Sequence, residues 1–472
     1  MPQGTLAVII GNREFFPDQL VAEARTDILA LFEKLDLDPV MVSEKDTNLG
    51  GVQTFEEVQK CAALFRANRD RIDGVLVVLP NFGDEKGVAD TLKLSDLSVP
   101  VLIQGYPDDL DAMDVARRRD AFCGKISVCN NLYQRGTPFT LTRKHVVHPT
   151  DESFVADLKR FAAVCRVVKG VRTARLGTIG ARPGAFNTVR YSEKILESNG
   201  ISVTTVDLSE ILGEAERLEA SDAEVKQKVR AITGYADASA VPSDKITHMA
   251  KLGVAISDWI EANGLHASAI QCWTSLQVNY GINVCTLMSM MSEKMSPSAC
   301  EVDVTGALTM YAMQLASDSP SALVDWNNNY ADDEDKCVLF HCGNWAKCFA
   351  PDAKIMSAAI LGTIISPDQT YGAMDGRTPA GPLTYGRLTT DDELGEIRGY
   401  VGEGTLTDDD LTTFGTKAVA QVPNLQNLMR FVCDNGFEHH VVMNQSSTAG
   451  ILVEAFENYL GWDIYHHAPS KD

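Results

Sequence analysis

The sequence predicts an α/β protein, with doubly wound parallel sheets in its first two thirds and a β-rich C-terminal region. Three observations carry this. Short β-branched apolar runs alternate with helical patterns from the N-terminus onward, and such runs indicate parallel sheets covered on both faces. Polar loops fall where these strands end, which is where open α/β sheets bind ligands. After Asp325 the texture changes to strand-like segments rich in turn residues.

The elements follow in order. Within the N-terminal run of residues 1–10, Leu6–Ile10 reads as the first strand, and Pro17–Leu35 as a helix with apolar residues at helical spacing. Val40–Ser43, Val75–Leu79 and Val101–Ile103 are the next strands, separated by helical patterns at 55–68 and 87–93. Their loops, 11–17, 80–85 and 104–108, carry polar candidates. A basic stretch from Lys159 to Arg175 leads into a second unit, whose first strand is Arg175–Ile179. Helices at 189–198, 211–233, 248–263 and 281–291 and strands at 202–207 and 267–272 complete that unit. Cys337–His341, Ala358–Ile364, Leu383–Thr389 and Phe437–Met443 read as strands, and Thr448–Leu460 as a closing amphipathic helix.

A chain of 472 residues divides into two or three domains, because single cores rarely grow past about 250–300 residues. With 45% hydrophobic and 22% charged residues the composition is that of a globular protein. The net charge of −22 argues against nucleic acid, whose phosphates need clustered Lys and Arg, and disfavours anionic membranes. No apolar run approaches the roughly 20 residues of a membrane span, and the N-terminus lacks a basic leader, so a cytoplasmic protein is expected. Eleven scattered cysteines without a CxxC read as reduced thiols. Gly177–Gly184 is not GxGxxG, and neither a P-loop nor GxSxG occurs, which leaves an NAD-linked dehydrogenase weakly supported.

The chemistry concentrates late in the chain. Glu301, in Cys-Glu-Val-Asp, and Asp325, in Val-Asp-Trp-Asn, stand at the edges of apolar runs, where an ionised carboxylate is costly unless compensated. Two oxygen ligands from separate segments plus an imidazole suit a divalent ion of the Mn, Mg or Zn type. Asp303 is either a second ligand or a helix N-terminal charge favoured by the dipole. His341 ends a strand. His439 and His440 are neighbours in a strand-like run, so only one of them should face a given site.

Taken with Gly-Asn-Arg-Glu-Phe-Phe-Pro at 11–17, Asn-Phe-Gly-Asp-Glu at 81–85, Gly-Ala-Arg-Pro-Gly-Ala-Phe at 180–186 and Glu-His-His-Val at 438–441, these residues resemble the L-fucose/L-arabinose isomerase family over nearly the whole chain. The resemblance implies three domains, 1–165, 166–316 and 317–472, and a Mn²⁺-dependent aldose–ketose isomerase, with Co²⁺ or Mg²⁺ as other ions. It implies that Glu301 and Asp325 are both metal ligands and the acid/base pair, with His439 on the third ligand position. His341 and His440 are further metal or substrate candidates. Arg13, Phe16, Asn81, Arg182, Phe186, Trp273 and Trp326 are expected to line the sugar, which is a pentose, a deoxyhexose or a 6-sulfonated aldose such as sulfoquinovose. A homo-oligomer, a hexamer by likeness, with sites completed by a neighbour's N-terminal loops, is also implied. The chain is shorter than the fucose enzymes and carries Asp325 where the arabinose enzymes carry Glu. A non-catalytic sugar-binding or sensor protein is the competing reading.

Overall fold

The alternating pattern of the first third folds into a parallel six-stranded sheet in a computed structural model that describes residues 4–468. The first three residues of the N-terminal run lie outside the described range. The strand order is Leu37–Val40, Gly4–Gly11, Gly74–Leu79, Val101–Gly105, Thr140–Leu141, with Gly51–Val52 beside Gly4–Gly11. Every residue of Gly74–Leu79 is buried, as continuous apolar strands require. The second strand comes three residues earlier than expected. Asp36 ends the helix Gln19–Leu35 in the left-handed region, so the chain turns into the sheet at Leu37.

A second parallel sheet has the order Ser298–Ala299, Ala267–Ile270, Arg175–Ile179, Ser202–Val206. A third, of nine strands and mostly antiparallel, holds the β-rich C-terminal region. The chain is therefore α/β with a β-rich end, as the sequence predicts. Three element expectations are corrected. Ala358–Ile364 is not a strand: Lys354–Ser357 takes the pairing with Tyr371–Asp375, and the Ala- and Leu-containing run that follows forms the helix Ala359–Ile364. The 211–233 pattern is two helices, Leu208–Arg217 and Ala223–Tyr235. The 281–291 helix begins only at Cys285 and runs to Glu293, because Gly281, at φ 75°, ends a separate short helix, Ser275–Tyr280, before it.

Two compact units result. One comprises the chain up to Lys169 together with Glu454–Gly461, and the other Gly170–Val453 with the residues from Trp462 on. The second unit thus spans both sides of the 316/317 boundary. Within the first unit, Tyr459 Oη shares a hydrogen bond of 2.7 Å with Thr140 Oγ1, and Glu454 pairs with Arg160. Among the described residues no helix is long and apolar enough to cross a membrane.

Candidate active site

Glu301 is placed by two adjacent strand ends. Ser298–Ala299 pairs in parallel with Ala267–Ile270, so Cys300–Glu301 and Cys272–Trp273 leave the carboxyl edge of the second sheet side by side. The backbone then turns through Glu301 at φ 55° and Val302 at φ 57°, a left-handed pair that costs non-glycine residues about 1–3 kcal/mol each. Asp303 closes the turn, its Oδ1 accepting the Gly306 N–H at 2.8 Å and capping the helix Val304–Ser317. Glu301 Oε1 accepts from Trp273 Nε1 at 2.9 Å and from the Cys272 thiol at 3.3 Å. Its other oxygen, Oε2, is buried without a hydrogen-bond partner among the described residues.

Asp325 comes from the third sheet. The strand Ala322–Tyr330 runs antiparallel between His440–Asn444 and Asp333–His341, in a register that sets Asp325 opposite His440 on one side and Phe340 on the other. His341, Asp325 and His440 therefore meet on neighbouring strands. His440 Nε2 lies 3.8 Å from Glu301 Oε2 and 3.6 Å from Asp325 Oδ1, which is also buried without a partner. His341 Nε2 lies 3.8 Å from Glu301 Oε2. The expectation that only one of His439 and His440 faces the site is corrected. His439 sits in the bend before the strand, where side-chain alternation does not hold, and its Nε2 reaches within 3.7 Å of Asp325 Oδ1. Its side chain is 44% exposed, against 1% for His440.

The hydrogen bonds separate the imidazoles chemically. His440 Nδ1 donates to Asp303 Oδ2 at 2.8 Å, which leaves a lone pair on Nε2 between Glu301 and Asp325. His341 Nδ1 instead accepts the Cys342 amide N–H at 2.9 Å. The neutral ring therefore carries its proton on Nε2, toward Glu301, with no lone pair there. Burial holds His341 low, at about 3, so it stays neutral, and burial likewise lowers His439 to about 4. Burial opposes charge on His440 as well, but the Asp303 hydrogen bond and charge raise it.

Behind His440 is a buried ion network. Arg387 donates from Nη1 to Asp303 Oδ2 at 2.6 Å and from Nη2 to Asp303 Oδ1 at 2.9 Å, and its Nη2 lies 3.1 Å from Glu438. Burial disfavours the Asp303 charge, yet Arg387 and His440 together hold its carboxyl well below the usual range. Glu301 and Asp325 go the other way. Burial raises Glu301, and burial with the Glu301 charge pushes Asp325 up to about 6, against the pull of His440. Four carboxylates thus gather here, Asp303 and Glu438 on the Arg387 guanidinium and Glu301 and Asp325 on the histidines. That excess of negative charge, the two orphaned oxygens and the free Nε2 lone pair fit a divalent cation. Asp303→Asn should weaken ion binding about 10–100-fold by releasing the His440 tautomer, measured by competition with a metallochromic chelator.

The remaining candidates are dispersed. Trp273 touches Glu301, and the Phe186 ring lies 5.3 Å from His439, 5.6 Å from His440 and 6.0 Å from Trp273, so both join the site. Arg182 is half-buried on the Phe186 loop and donates to the Pro183 carbonyl. Trp326, next to Asp325 on its strand, points to the other face and donates to Tyr400 Oη at 3.0 Å. Arg13, Phe16 and Asn81 belong to the first unit, where Arg13 pairs with Glu85 and Asn81 donates to Asn12 Oδ1 at 2.6 Å. Sequence reasoning missed Arg387, Glu438 and Cys272. An arginine two residues beyond Leu383 and Tyr385 in the alternation of one strand was the available signal for a buried ion pair.

Comparison with known proteins decides the class. A family described as fucose/sulfoquinovose isomerase, N-terminal domain, matches residues 7–172, and one described as L-fucose isomerase, C-terminal domain, matches 339–467. The chain belongs to the L-fucose isomerase-like family. This is a family of metal-dependent aldose–ketose isomerases, so the protein is an enzyme of that type. Sulfoquinovose isomerases from Priestia aryabhattai and Priestia megaterium are each 23% identical over 410 residues, 85% of this chain and 87% of theirs. One from a Clostridium species is 26% identical over 202 residues, 42% of this chain and 44% of its own.

Proposed function

We propose that this family member is a Mn²⁺-dependent isomerase of a 6-sulfonated aldose such as sulfoquinovose, and that Glu301, Asp325 and His440 hold the ion. The observation that carries the reading is the convergence of two orphaned carboxylate oxygens on the one imidazole nitrogen with a free lone pair. His440 takes the place that the family resemblance implies for His439, and the Nε2 proton argues against His341. Once bound, the ion supplies Lewis acidity to the carbonyl and neighbouring hydroxyl oxygens of the sugar.

The chain's own residues then move protons. Asp325, the more accessible carboxylate, removes the C2 proton and returns it to C1. Glu301, steadied by Trp273, carries the hydroxyl proton between O2 and O1. Phe186 and Trp273 wall the site and limit water around the reacting carbons. Arg182, on the same loop as Phe186, is the arginine we assign to the sulfonate. Arg182→Leu should raise KM about 10-fold or more for a sulfonated aldose and leave KM for a neutral aldose within about twofold, read from initial rates on both.

The coverage of most of the chain by the sulfoquinovose isomerases supports the substrate class. Eleven free thiols support a reducing, cytoplasmic setting, and a closed homo-oligomer, hexameric by family likeness, is part of the same reading. The test is turnover of a panel of 6-sulfonated hexoses, 6-deoxyhexoses and pentoses after exhaustive chelation and Mn²⁺ re-addition. His341→Gln should keep ion affinity and His440→Gln lose at least about 10-fold. Full turnover without metal, or unchanged affinity in His440→Gln, would sink the assignment.

A further inference from the structure

The strand ends that place Glu301 also gather sulfur beside its second oxygen. Cys272, Cys285 and Cys300 are all buried, with the Cys285 thiol donating to Asn283 Oδ1 at 3.2 Å. The Cys272 thiol donates to Glu301 Oε1 at 3.3 Å, and ligating atoms of Cys272, Cys300 and Glu301 all lie within 4.8 Å of one another. Met288 Sδ is 3.9 Å from Cys300 Sγ, and Asn344 Nδ2 donates to the same sulfur at 3.3 Å. A lone buried cysteine is ordinarily a small apolar filler. Two thiols and a carboxylate, each with a ligating atom within 4.8 Å of the others, form a donor set instead. A tetrahedral ion bonded at about 2.3 Å to sulfur and about 2.1 Å to oxygen keeps the two donors roughly 3.6 Å apart, close to the Cys272–Glu301 separation.

We propose that Cys272, Cys300 and Glu301 Oε1 form a second cation site, selective for thiophilic d¹⁰ ions such as Cd²⁺ or Zn²⁺. It is distinct from the hard-ion position facing Glu301 Oε2. Binding forms two metal–sulfur bonds and one metal–oxygen bond while two thiol protons pass to water, with no change of oxidation state. Because the two positions share one carboxylate, an ion held by the thiols turns Glu301 Oε1 away from Trp273 and inhibits the isomerase. That last consequence rests on the proposed function; the binding itself does not.

The test uses the full chain, freed of metal, with exposed Cys123, Cys348 and Cys433 replaced by Ser, and titrates it with Cd²⁺ alone. One thiolate-bound Cd²⁺ per chain is expected, seen as an ultraviolet charge-transfer band and as a ¹¹³Cd resonance in the sulfur-rich range. Both signals should vanish in Cys272→Ala/Cys300→Ala. If that variant does not fold, the resonance of the parent decides alone. Absence of the band, or a resonance only in the oxygen–nitrogen range, overturns the site. The band in a chain that turns over no sugar supports the site and overturns the functional reading instead.

Discussion

Glu301→Gln is expected to reduce turnover by about 10⁴-fold or more, the combined loss of an acid/base group and of a charged ion ligand. The amide retains an oxygen for Trp273, so the left-handed turn and the fold should survive. It also presents N–H donors where Oε2 faces His440 Nε2 at 3.8 Å, so the amide can occupy the lone pair that the cation would use, and the cation loses a charged ligand as well. Initial rates at saturating Mn²⁺, with ion binding measured by calorimetry on the same preparation, check both parts. Wild-type turnover in this variant would remove Glu301 from the mechanism.

Asp325→Asn should abolish activity and yet stabilise the chelated protein. Asp325 is pushed up from 3.8 to about 6 by burial and by Glu301, so the folded state holds its proton more tightly than the unfolded state does. The stability this contributes is present below the ordinary carboxylate value and is lost as pH rises through about 6. At neutral pH the metal-free enzyme therefore bears the cost of an uncompensated charge, on the order of 1–3 kcal/mol, which asparagine removes. Melting curves of both chelated proteins at pH 5 and pH 7 should show the variant melting a few degrees higher at pH 7, with the gap narrowing at pH 5. With Mn²⁺ added the order should reverse. The same sign makes ion affinity of the parent fall as pH drops below about 6, because protons then compete for Asp325.

The sheets were legible because their signals are local. Gly74–Leu79 is apolar at every position but its leading glycine, and Arg175–Ile179 is bounded by turn residues. Glu301 and Asp325 were legible for a related reason, as carboxylates at apolar edges with no nearby partner in the chain. What the sequence did not disclose depends on pairing across long separations. Arg387 is 84 residues from Asp303, and nothing local announces that its guanidinium ends on that carboxylate. The choice among the histidines was hidden for the same reason. It turns on whether Nδ1 meets Asp303, 137 residues away, or the next amide in the chain. His439 looked equivalent to His440 because the run from Phe437 reads as one strand, but the strand begins three residues later, at His440, and leaves His439 in a bend where alternation does not apply.

The segment Glu454–Gly461 belongs to the same unit as the first 169 residues, with Tyr459 on Thr140 and Glu454 on Arg160. A ribosome delivers that unit's opening sheet long before it delivers the piece that completes it. The N-terminal unit must therefore wait, incomplete, while almost all of the catalytic unit is synthesised. Its maturation is timed by the emergence of Glu454–Gly461 rather than by that of its opening sheet.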